Sequence, residues 1–423
     1  MTRNVLLIVP EFPPNNSIGG RRWAKFAKYL AKENIQVKVI AFKPSFINNN
    51  PNWIDDISDD NINVVYLSSH YPKILESSSS NILMRLIKKI VSIIVSFLDG
   101  GIIQDRAIFF RSTLLKNARK LIRENDIHNV ICSGPYHRAS YYTSLLKSDF
   151  PEINYIVDFR DRWADGQVYG LDKVSDTVYK NEERLQKYTC EKADYVISTY
   201  DQILEELIGL YPDMDKNKFI HFPHNYDPAD YPDIKEFNVK VSPEKIRFIY
   251  GGTINTAALN DGFIPFLNAI RSLQLDRNDL YQLISFEIYG SNFRLNQLIN
   301  QLDIASCVKI LPKVSESEFY KKVNESDFPM IFLGKKWKNL LTTKSIAYLP
   351  FRKPILVVSE KGKVVDMVLN ESIGYHFNPD KCYQNLVTLV EDYKKNNIHF
   401  NFNFNYEAYS YEFATKRLIQ LLK

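Results

Sequence analysis

An alternation of short apolar runs with helical repeats occurs twice along the chain and constrains its fold more than any other feature. Val5–Val9 is an apolar run, followed by a loop rich in proline, asparagine and glycine, a helical pattern over Arg21–Lys32 and a second run at Val37–Ala41. Short apolar runs that alternate with helical segments are typical of buried parallel strands with crossover helices. The beginning of the chain therefore predicts a β-α-β unit of a Rossmann-like domain.

The same pattern continues, and it starts again after a polar, proline-containing stretch from Asp227 to Glu244. Before this stretch, we predict further strands at Val64–Leu67, Val130–Cys132, Tyr155–Val157 and Tyr195–Ser198. After it, we predict strands at Ile246–Tyr250, Ser285–Tyr289, Val308–Ile310 and Pro329–Leu333, with helices at Phe263–Ser272, Leu295–Gln301 and Glu316–Glu325.

The length of 423 residues exceeds what a single hydrophobic core usually organises, so two domains are expected. We predict an α/β fold with two Rossmann-like parallel-sheet domains, residues 1–230 and 240–405, facing a cleft at the carboxyl ends of both sheets. Residues 406–423 contain a last helical segment, Tyr409 to Leu422, which can fold with either domain.

Composition excludes several classes of protein. With 45% hydrophobic and 24% charged residues, and only 15 Gly and 19 Pro, the chain is neither disordered nor collagen-like. A net charge of +5 over this length excludes a generally basic surface for nucleic acid, so no nucleic-acid partner is expected. The four cysteines form no C-x-x-C pair, and the first apolar run stops at Pro10 without a cleavage site. We therefore expect a cytoplasmic protein without a zinc site or disulfides.

The most hydrophobic stretch of the chain, residues 82–98, allows two interpretations. On a helix, Arg85, Lys88 and Lys89 fall on one stripe with Ser92 and Ser96, and the remaining surface is apolar. This stretch is too short and too charged for us to predict a transmembrane segment. A basic stripe beside a broad apolar face is typical of a helix at an anionic membrane surface. The alternative is a core helix with one wet edge, and the sequence leaves both open.

The loop after the first predicted strand ends in two glycines, Gly19 and Gly20, at a predicted helix N-terminus. Glycines allow close approach of the backbone to a ligand, and the free N–H groups of a helix N-terminus favour an anion. The spacing is not G-x-G-x-x-G, so the usual dinucleotide fingerprint is absent.

Short motifs follow one another along nearly the whole chain in an order typical of one protein family. They are Pro13-Pro14 through Gly19-Gly20-Arg21-Arg22 with the helix Phe26–Lys32, then Ser133–His137 (S-G-P-Y-H), Asp158–Trp163 (D-F-R-D-R-W), Glu191–Ser198, Gly251–Ile254, Ile288–Gly290, and Thr342–Leu349 with Lys353–Leu356. In this order and spacing they resemble family-4 glycosyltransferases of the GT-B fold, of the type that makes bacterial polysaccharides.

This resemblance implies transfer of a sugar from a nucleotide diphosphate donor, with retention at the anomeric carbon. The expected acceptor is a growing surface polysaccharide or a polyprenyl-diphosphate-linked glycan, so the enzyme would be cytoplasmic or peripheral on the inner face of the plasma membrane. The family's C-terminal helix often crosses back to the first domain. The resemblance requires no metal and no resident cofactor.

The resemblance also assigns roles to individual residues. Lys344 is expected to contact the diphosphate, since positive charge and N–H dipoles stabilise such a leaving group. The other expected donor-binding residues are Gly19, Gly20, Gly252, Thr253, Gly290 and Thr343. His137, Arg160 and Asp161 are the expected catalytic residues, and Arg21, Arg22 and Asp158 are expected on the acceptor side. His137 and Asp158 each have a structural alternative, which for Asp158 is an internal pair with an arginine.

Two departures from the family pattern weaken the donor assignment. From Gly251 to Ile270 the sequence contains neither Arg nor Lys, although the family commonly has both there. The glutamate that usually holds the ribose hydroxyls is replaced by Ala347. A non-catalytic GT-B-like subunit that binds a glycan or a partner is therefore the second hypothesis, and a nucleotide-sugar epimerase of related fold is the third.

Overall fold

The computed structural model describes residues 3–15, 17–44, 53–76, 81–99, 105–164, 175–231, 245–290 and 293–423. Asn16 in the glycine-containing loop, residues 232–244 of the predicted polar stretch, and the side chains of residues 96–99 lie outside this description. The chain divides into two compact units, of which unit 1 comprises Met1–Pro223 with Tyr411–Lys423, and unit 2 comprises His224–Ser410. The first unit ends at Pro223, earlier than the predicted boundary at residue 230.

Unit 1 contains a parallel sheet of seven strands: β1 (Asn4–Ile8), β2 (Gln36–Phe42), β3 (Ile62–Leu67), β4 (Asn129–Gly134), β5 (Asn154–Phe159), β6 (Tyr195–Ser198) and β7 (Phe219–His221). Their order in the sheet is β3-β2-β1-β4-β5-β6-β7. The helices are α1 (Ile18–Lys32), α2 (Lys73–Glu76), α3 (Ile82–Asp99), α4 (Arg111–Glu124), α5 (His137–Ser144), α6 (Leu146–Asp149), α7 (Asp176–Lys192) and α8 (Asp201–Leu210).

Both faces of the unit 1 sheet are buried. Val5 and Leu7 of β1 belong to one apolar cluster, whereas Leu6 and Ile8 belong to another. Successive side chains of a strand point to opposite faces, so helices cover the sheet on both sides. This explains why β1 reads as a continuous apolar run in the sequence.

Unit 2 contains a parallel sheet of six strands: β8 (Ile246–Gly251), β9 (Ile284–Tyr289), β10 (Val308–Leu311), β11 (Phe328–Phe332), β12 (Ile355–Val358) and β13 (Gly374–Phe377). Their order is β10-β9-β8-β11-β12-β13. The helices are α9 (Thr256–Ala258), α10 (Ile264–Asp276), α11 (Asn278–Tyr281), α12 (Phe293–Gln301), α13 (Glu316–Glu325), α14 (Thr343–Tyr348), α15 (Lys363–Asn370) and α16 (Cys382–Lys394). The predicted α/β class with two parallel-sheet domains is confirmed.

The C-terminal helix α17 (Tyr411–Ile419) belongs to unit 1. It packs against α1, where the rings of Phe26 and Tyr411 meet edge to face with their centres 5.3 Å apart. Leu418 is fully buried in the same cluster as β1. The end of the chain therefore stabilises the first unit.

Helix α3 does not behave as a core helix. Its side chains from Ile82 to Leu86 are exposed, and among its described side chains Val95 alone is fully buried. The predicted alternative of a core helix with one wet edge is therefore wrong. Among the residues that the structure describes, no helix is long and apolar enough to cross a membrane.

Candidate functional site

The carboxyl ends of β4 and β5 hold a buried carboxylate, Asp158, at the centre of a polar network in unit 1. Ser133 and Asp158 are neighbours across the two strands, and the Ser133 hydroxyl donates a 2.8 Å hydrogen bond to Asp158 Oδ2. The Trp23 indole donates a second bond of 2.8 Å to the same oxygen, and Arg22 Nε lies 3.5 Å from it. Asp158 is completely buried, so these contacts compensate its charge inside the protein.

Arg22 is used in the same internal network. Its side chain is 2% exposed, and its guanidinium donates to the carbonyl oxygens of Phe222 and Pro223 at 3.0 and 2.9 Å. The structural alternative, an internal Arg–carboxylate pair for Asp158, is the arrangement that the structure shows. The predicted strand Tyr155–Val157 ends before Asp158, but β5 extends to Phe159 and includes Asp158.

Arg160 follows β5 and is held by the neighbouring strand end. Its Nε donates to Ser133 Oγ at 2.9 Å and to the Gly134 carbonyl at 3.0 Å, while Nη2 donates to the Pro135 carbonyl at 3.1 Å. No acceptor for Nη1 occurs among the described residues. These three bonds fix the guanidinium plane, and Nη1 keeps N–H groups that no described acceptor uses.

The two glycines at the start of α1 are required by packing within unit 1. A Cβ atom on Gly19 would overlap Nη1 of Arg160, with 1.2 Å between the two atoms. A Cβ on Gly20 would lie 2.0 Å from the Glu11 carbonyl oxygen. Helix α1 begins here because the Ser17 hydroxyl caps it, accepting a 3.0 Å bond from Gly20 N–H. Gly19 is thus the surface on which the Arg160 guanidinium rests.

Two further predicted residues of unit 1 are half-buried near this network. Arg21 lies over the ring of Trp53, with its guanidinium carbon 5.8 Å from the ring centre. The pKa of Asp161 is raised by burial, and the nearby charge of Arg160 opposes this rise. Asp161 and Arg160 are consecutive residues after the end of β5, where the charge of Arg160 favours the ionised carboxylate.

His137 lies at the first position of α5 and is 2% exposed. Its ring stacks on Trp163, with centres 5.1 Å apart and planes within 8°. Trp163 is itself held by a 2.7 Å bond from its indole to Glu182 Oε2. Burial lowers the pKa of His137 to about 3, so the imidazole is neutral near pH 7. In this conformation the imidazole is enclosed within unit 1 and packed against Trp163.

In unit 2, two glycines with left-handed backbone conformations meet at the carboxyl ends of β8 and β9. Gly252 has φ +112° and Gly290 has φ +85°, values that favour glycine. Gly252 N–H donates to the Tyr289 carbonyl at 2.9 Å, and a Cβ on Gly290 would lie 3.6 Å from Gly252 N. The predicted donor residues Gly252 and Gly290 are therefore brought into direct contact.

Lys344 of α14 reaches into the same place. Its Nζ lies 3.9 Å from the centre of the Tyr250 ring and would be 3.2 Å from a Cβ atom on Gly252. It has no ion pair with any described carboxylate, and burial lowers its pKa to about 8. The ammonium group thus lies against an aromatic face and a glycine turn, and no carboxylate among the described residues pairs with it.

The remaining predicted donor residues border this position. Thr253 and Thr343 are exposed, and the Thr253 carbonyl accepts a 3.3 Å bond from the Tyr250 hydroxyl. Ala347 lies in α14, one turn after Lys344, and its carbonyl accepts a 3.0 Å bond from Tyr231. Its methyl group cannot bond a ribose hydroxyl.

Sequence analysis did not single out Trp23, Ser133, Trp163 and Tyr250 as site residues. Ser133 and Trp163 lie inside motifs that carry the family resemblance, so those motifs could have identified them as site residues. Trp23 and Tyr250 read as core residues of a helix and a strand, and only their partners, Asp158 and Lys344, reveal their roles.

No protein-family model matches the chain, and no curated protein matches it in sequence. Solved structures match over nearly the whole chain. Sucrose-phosphate synthase from Thermosynechococcus elongatus is 11% identical, with a TM-score of 0.60, over 99% of this chain and 98% of that one. The catalytic domain of starch synthase IV from Arabidopsis thaliana, bound to ADP and acarbose, is 12% identical, with a TM-score of 0.59, over 100% and 99%.

A protein assigned as a UDP-N-acetylglucosamine 2-epimerase from Listeria monocytogenes is also similar. It is 13% identical, with a TM-score of 0.54, over 99% of this chain and 95% of that one. At these identities the comparisons show the fold, which is the GT-B fold predicted from the sequence. These comparisons do not distinguish a transferase from an epimerase, and that distinction depends on the chemistry of the sites.

Proposed function

We propose that the protein is a glycosyltransferase that uses a nucleotide diphosphate sugar. The observation that carries this proposal is the Lys344 ammonium, half-buried beside Gly252 and without a described carboxylate partner. A diphosphate would supply the missing negative charge, and the turn at Gly252 and Gly290 allows its close approach. The similar starch synthase structure, which contains ADP, supports this assignment.

The proposed reaction is retaining. The bond between the anomeric carbon and the diphosphate oxygen breaks, and a bond from that carbon to an acceptor oxygen forms on the same face. The departing phosphate takes the acceptor proton, so no enzymic nucleophile is needed. Lys344 would stabilise the charge that develops on the leaving group. We propose no metal and no resident cofactor.

On the acceptor side, we propose that Arg160 and Asp161 contact the incoming hydroxyl or its neighbours, with Arg21 near them. Arg160 offers Nη1, and three hydrogen bonds fix its plane. Asp158 and Arg22 act as supports, because both are buried and form an ion pair with each other. His137 likewise positions its loop through Trp163.

We propose as acceptor a growing surface polysaccharide or a polyprenyl-diphosphate-linked oligosaccharide, and a cytoplasmic location at the inner face of the plasma membrane. The family resemblance supports this acceptor class. The exposed apolar helix α3 supports a location beside a membrane.

A non-catalytic subunit is the second candidate, because Ala347 lacks the ribose-binding carboxylate and residues 251–270 contain no basic side chain.

A measurement of turnover distinguishes the candidate functions. The purified protein is incubated with UDP-, GDP-, dTDP- and ADP-sugars, with and without a lipid-linked acceptor extract, and the released nucleotide diphosphate is measured.

A transferase releases nucleotide in proportion to acceptor. An epimerase changes the sugar without needing an acceptor, and a non-catalytic subunit does neither. Lys344→Met is the test variant and Lys309→Met, an exposed lysine of β10, is its matched control. Loss of turnover in Lys344→Met alone supports the proposal, whereas equal turnover in both variants contradicts the donor assignment.

A further inference from the structure

Helix α3 turns its most apolar face toward solvent. Leu86, Ile90 and Ile93 are 54%, 57% and 59% exposed, and Ile82, Leu83 and Ile94 continue the same face with exposures of 75%, 62% and 50%. At about 100° per residue these six side chains occupy an arc of about 120°. A surface helix of a globular protein normally turns such an arc toward the core.

The opposite face of α3, which lies against the protein, is less apolar than the exposed one. Lys88, Val91 and Ser92 are half-buried there, and Val95 is buried. These positions follow the helical spacing, so they define the inner side. The apolar face of α3 is therefore turned outward, opposite to the usual orientation of a surface helix. Contact with an apolar surface outside unit 1 would stabilise this orientation.

Positive charge borders the exposed arc. Arg85 and Lys89 are exposed and four residues apart, which places them on one flank of the arc. Residues 82–98 contain no Asp or Glu. An apolar arc with a basic flank and no acidic residue matches the boundary between the acyl chains and the headgroups of an anionic bilayer.

We infer that the outer face of α3, defined by Leu86, Ile90 and Ile93, binds the interface of a bilayer that contains anionic phospholipid. The apolar side chains enter the acyl boundary, while Arg85 and Lys89 extend to the lipid phosphates. A second copy of the chain fits less well, because pairing two α3 helices through this face would bring the basic flanks together, and residues 82–98 of neither helix contain an acidic residue. This inference names the membrane partner of the proposed transferase, but its test needs no donor turnover.

The first test is sedimentation with vesicles. The full-length protein is mixed with vesicles of phosphatidylglycerol and phosphatidylcholine, or of phosphatidylcholine alone, without nucleotide. We expect sedimentation with the anionic vesicles and at least 10-fold weaker binding to the neutral ones. Failure to bind anionic vesicles, or equal binding to both kinds, overturns the inference.

Two matched pairs of variants locate the contact. The triple variant Leu86→Gln/Ile90→Gln/Ile93→Gln should bind at least 10-fold more weakly, whereas the control Leu210→Gln/Leu275→Gln/Leu369→Gln, three exposed leucines elsewhere, should bind normally. Arg85→Gln/Lys89→Gln should also bind about 10-fold more weakly or worse. Its control is Lys116→Gln/Lys120→Gln, an exposed pair of the same spacing on α4. Equal effects of test and control variants overturn the assignment to α3.

A fluorescent label distinguishes lipid from a second protein chain. All four native cysteines are buried, so a thiol introduced by Ile90→Cys can be labelled selectively with an environment-sensitive dye. We expect a blue shift only when anionic vesicles are added, and a monomer in lipid-free sedimentation. A blue shift that follows self-association without lipid identifies a second copy and overturns the inference. Nucleotide binding by the same preparation is scored separately, so either proposal can fail alone.

Discussion

Lys344 Nζ lies 3.9 Å from the centre of the Tyr250 ring, in contact distance of the glycine turn that ends β8. The face of an aromatic ring attracts a cation but does not neutralise it. Burial without an anion disfavours the charged form and lowers the pKa of Lys344 to about 8. Because no described carboxylate pairs with this ammonium, an anionic ligand would stabilise its charge further than the Tyr250 ring does.

We predict that Lys344→Met does not lower the thermal midpoint of the ligand-free protein at pH 7. The side chain keeps most of its apolar volume, and the cost of burying the ammonium disappears. Thermal unfolding followed by circular dichroism measures this. A clear loss of stability would mean that Lys344 is a structural residue and not a ligand-binding one.

We predict that nucleotide diphosphate binding weakens as the pH rises through about 8, because Lys344 then loses its proton in the free protein. The stability of the ligand-free protein should change with pH in the opposite direction. Its folded-state pKa lies below the ordinary value of 10.5, so this group adds stability as the pH rises from 8 to 10.5. Calorimetric titrations at pH 7 and pH 9 measure the first effect, and equal affinities would contradict it.

The glycine pair of α1 should tolerate alanine unequally. Gly20→Ala places a methyl group against the Glu11 carbonyl, which is backbone, whereas Gly19→Ala displaces the end of the Arg160 side chain. We expect Gly20→Ala to lower the free energy of unfolding by about 1–3 kcal/mol, and Gly19→Ala to cost less. Urea unfolding of both variants checks this order, and the reverse order would refute the packing explanation.

His137 should make the free energy of unfolding depend on pH in the acidic range. Its folded-state pKa is lowered to about 3 from the ordinary 6.5, so only the unfolded chain binds this proton between those values. Stability is therefore lost as the pH falls from 6.5 toward 3. Replacing the imidazole in His137→Phe should flatten this part of the stability profile relative to wild type. An unchanged slope would show that His137 is protonated in the folded protein.

The alternation in the sequence predicted the arrangement of strands well. The helix predicted at Glu316–Glu325 has those bounds, because Ser315 forms a capping box with Glu318 at its start. The strands β7, β12 and β13 were not predicted; β12 is a short, fully buried apolar run, whereas β7 and β13 have three to four residues and contain His or Gly. The strands β7 and β13 lie at the edges of their sheets, and a short edge strand acquires its structure from pairing with a neighbour, which a local pattern does not record.

The sites were less predictable than the fold. The motifs pointed to Asp158 and Lys344, but they did not show that Asp158 is enclosed by Trp23 and Ser133, or that Lys344 rests on Tyr250. These contacts join residues far apart in the sequence. The helical pattern of residues 82–98 likewise described an amphipathic helix, while the face that it turns outward depends on the rest of unit 1.

Nucleotide binding at Lys344 is the central property of the proposed donor site. The measurement is the thermal midpoint of wild type, Lys344→Met and Lys309→Met with UDP, GDP, dTDP and ADP, and with CMP as a monophosphate control. A ligand at 100 times its dissociation constant adds about 2.7 kcal/mol, which is easily detected. We predict a rise with one nucleotide diphosphate in wild type and Lys309→Met and none in Lys344→Met. No rise with any nucleotide, or an equal rise in all three proteins, would contradict the proposed donor site.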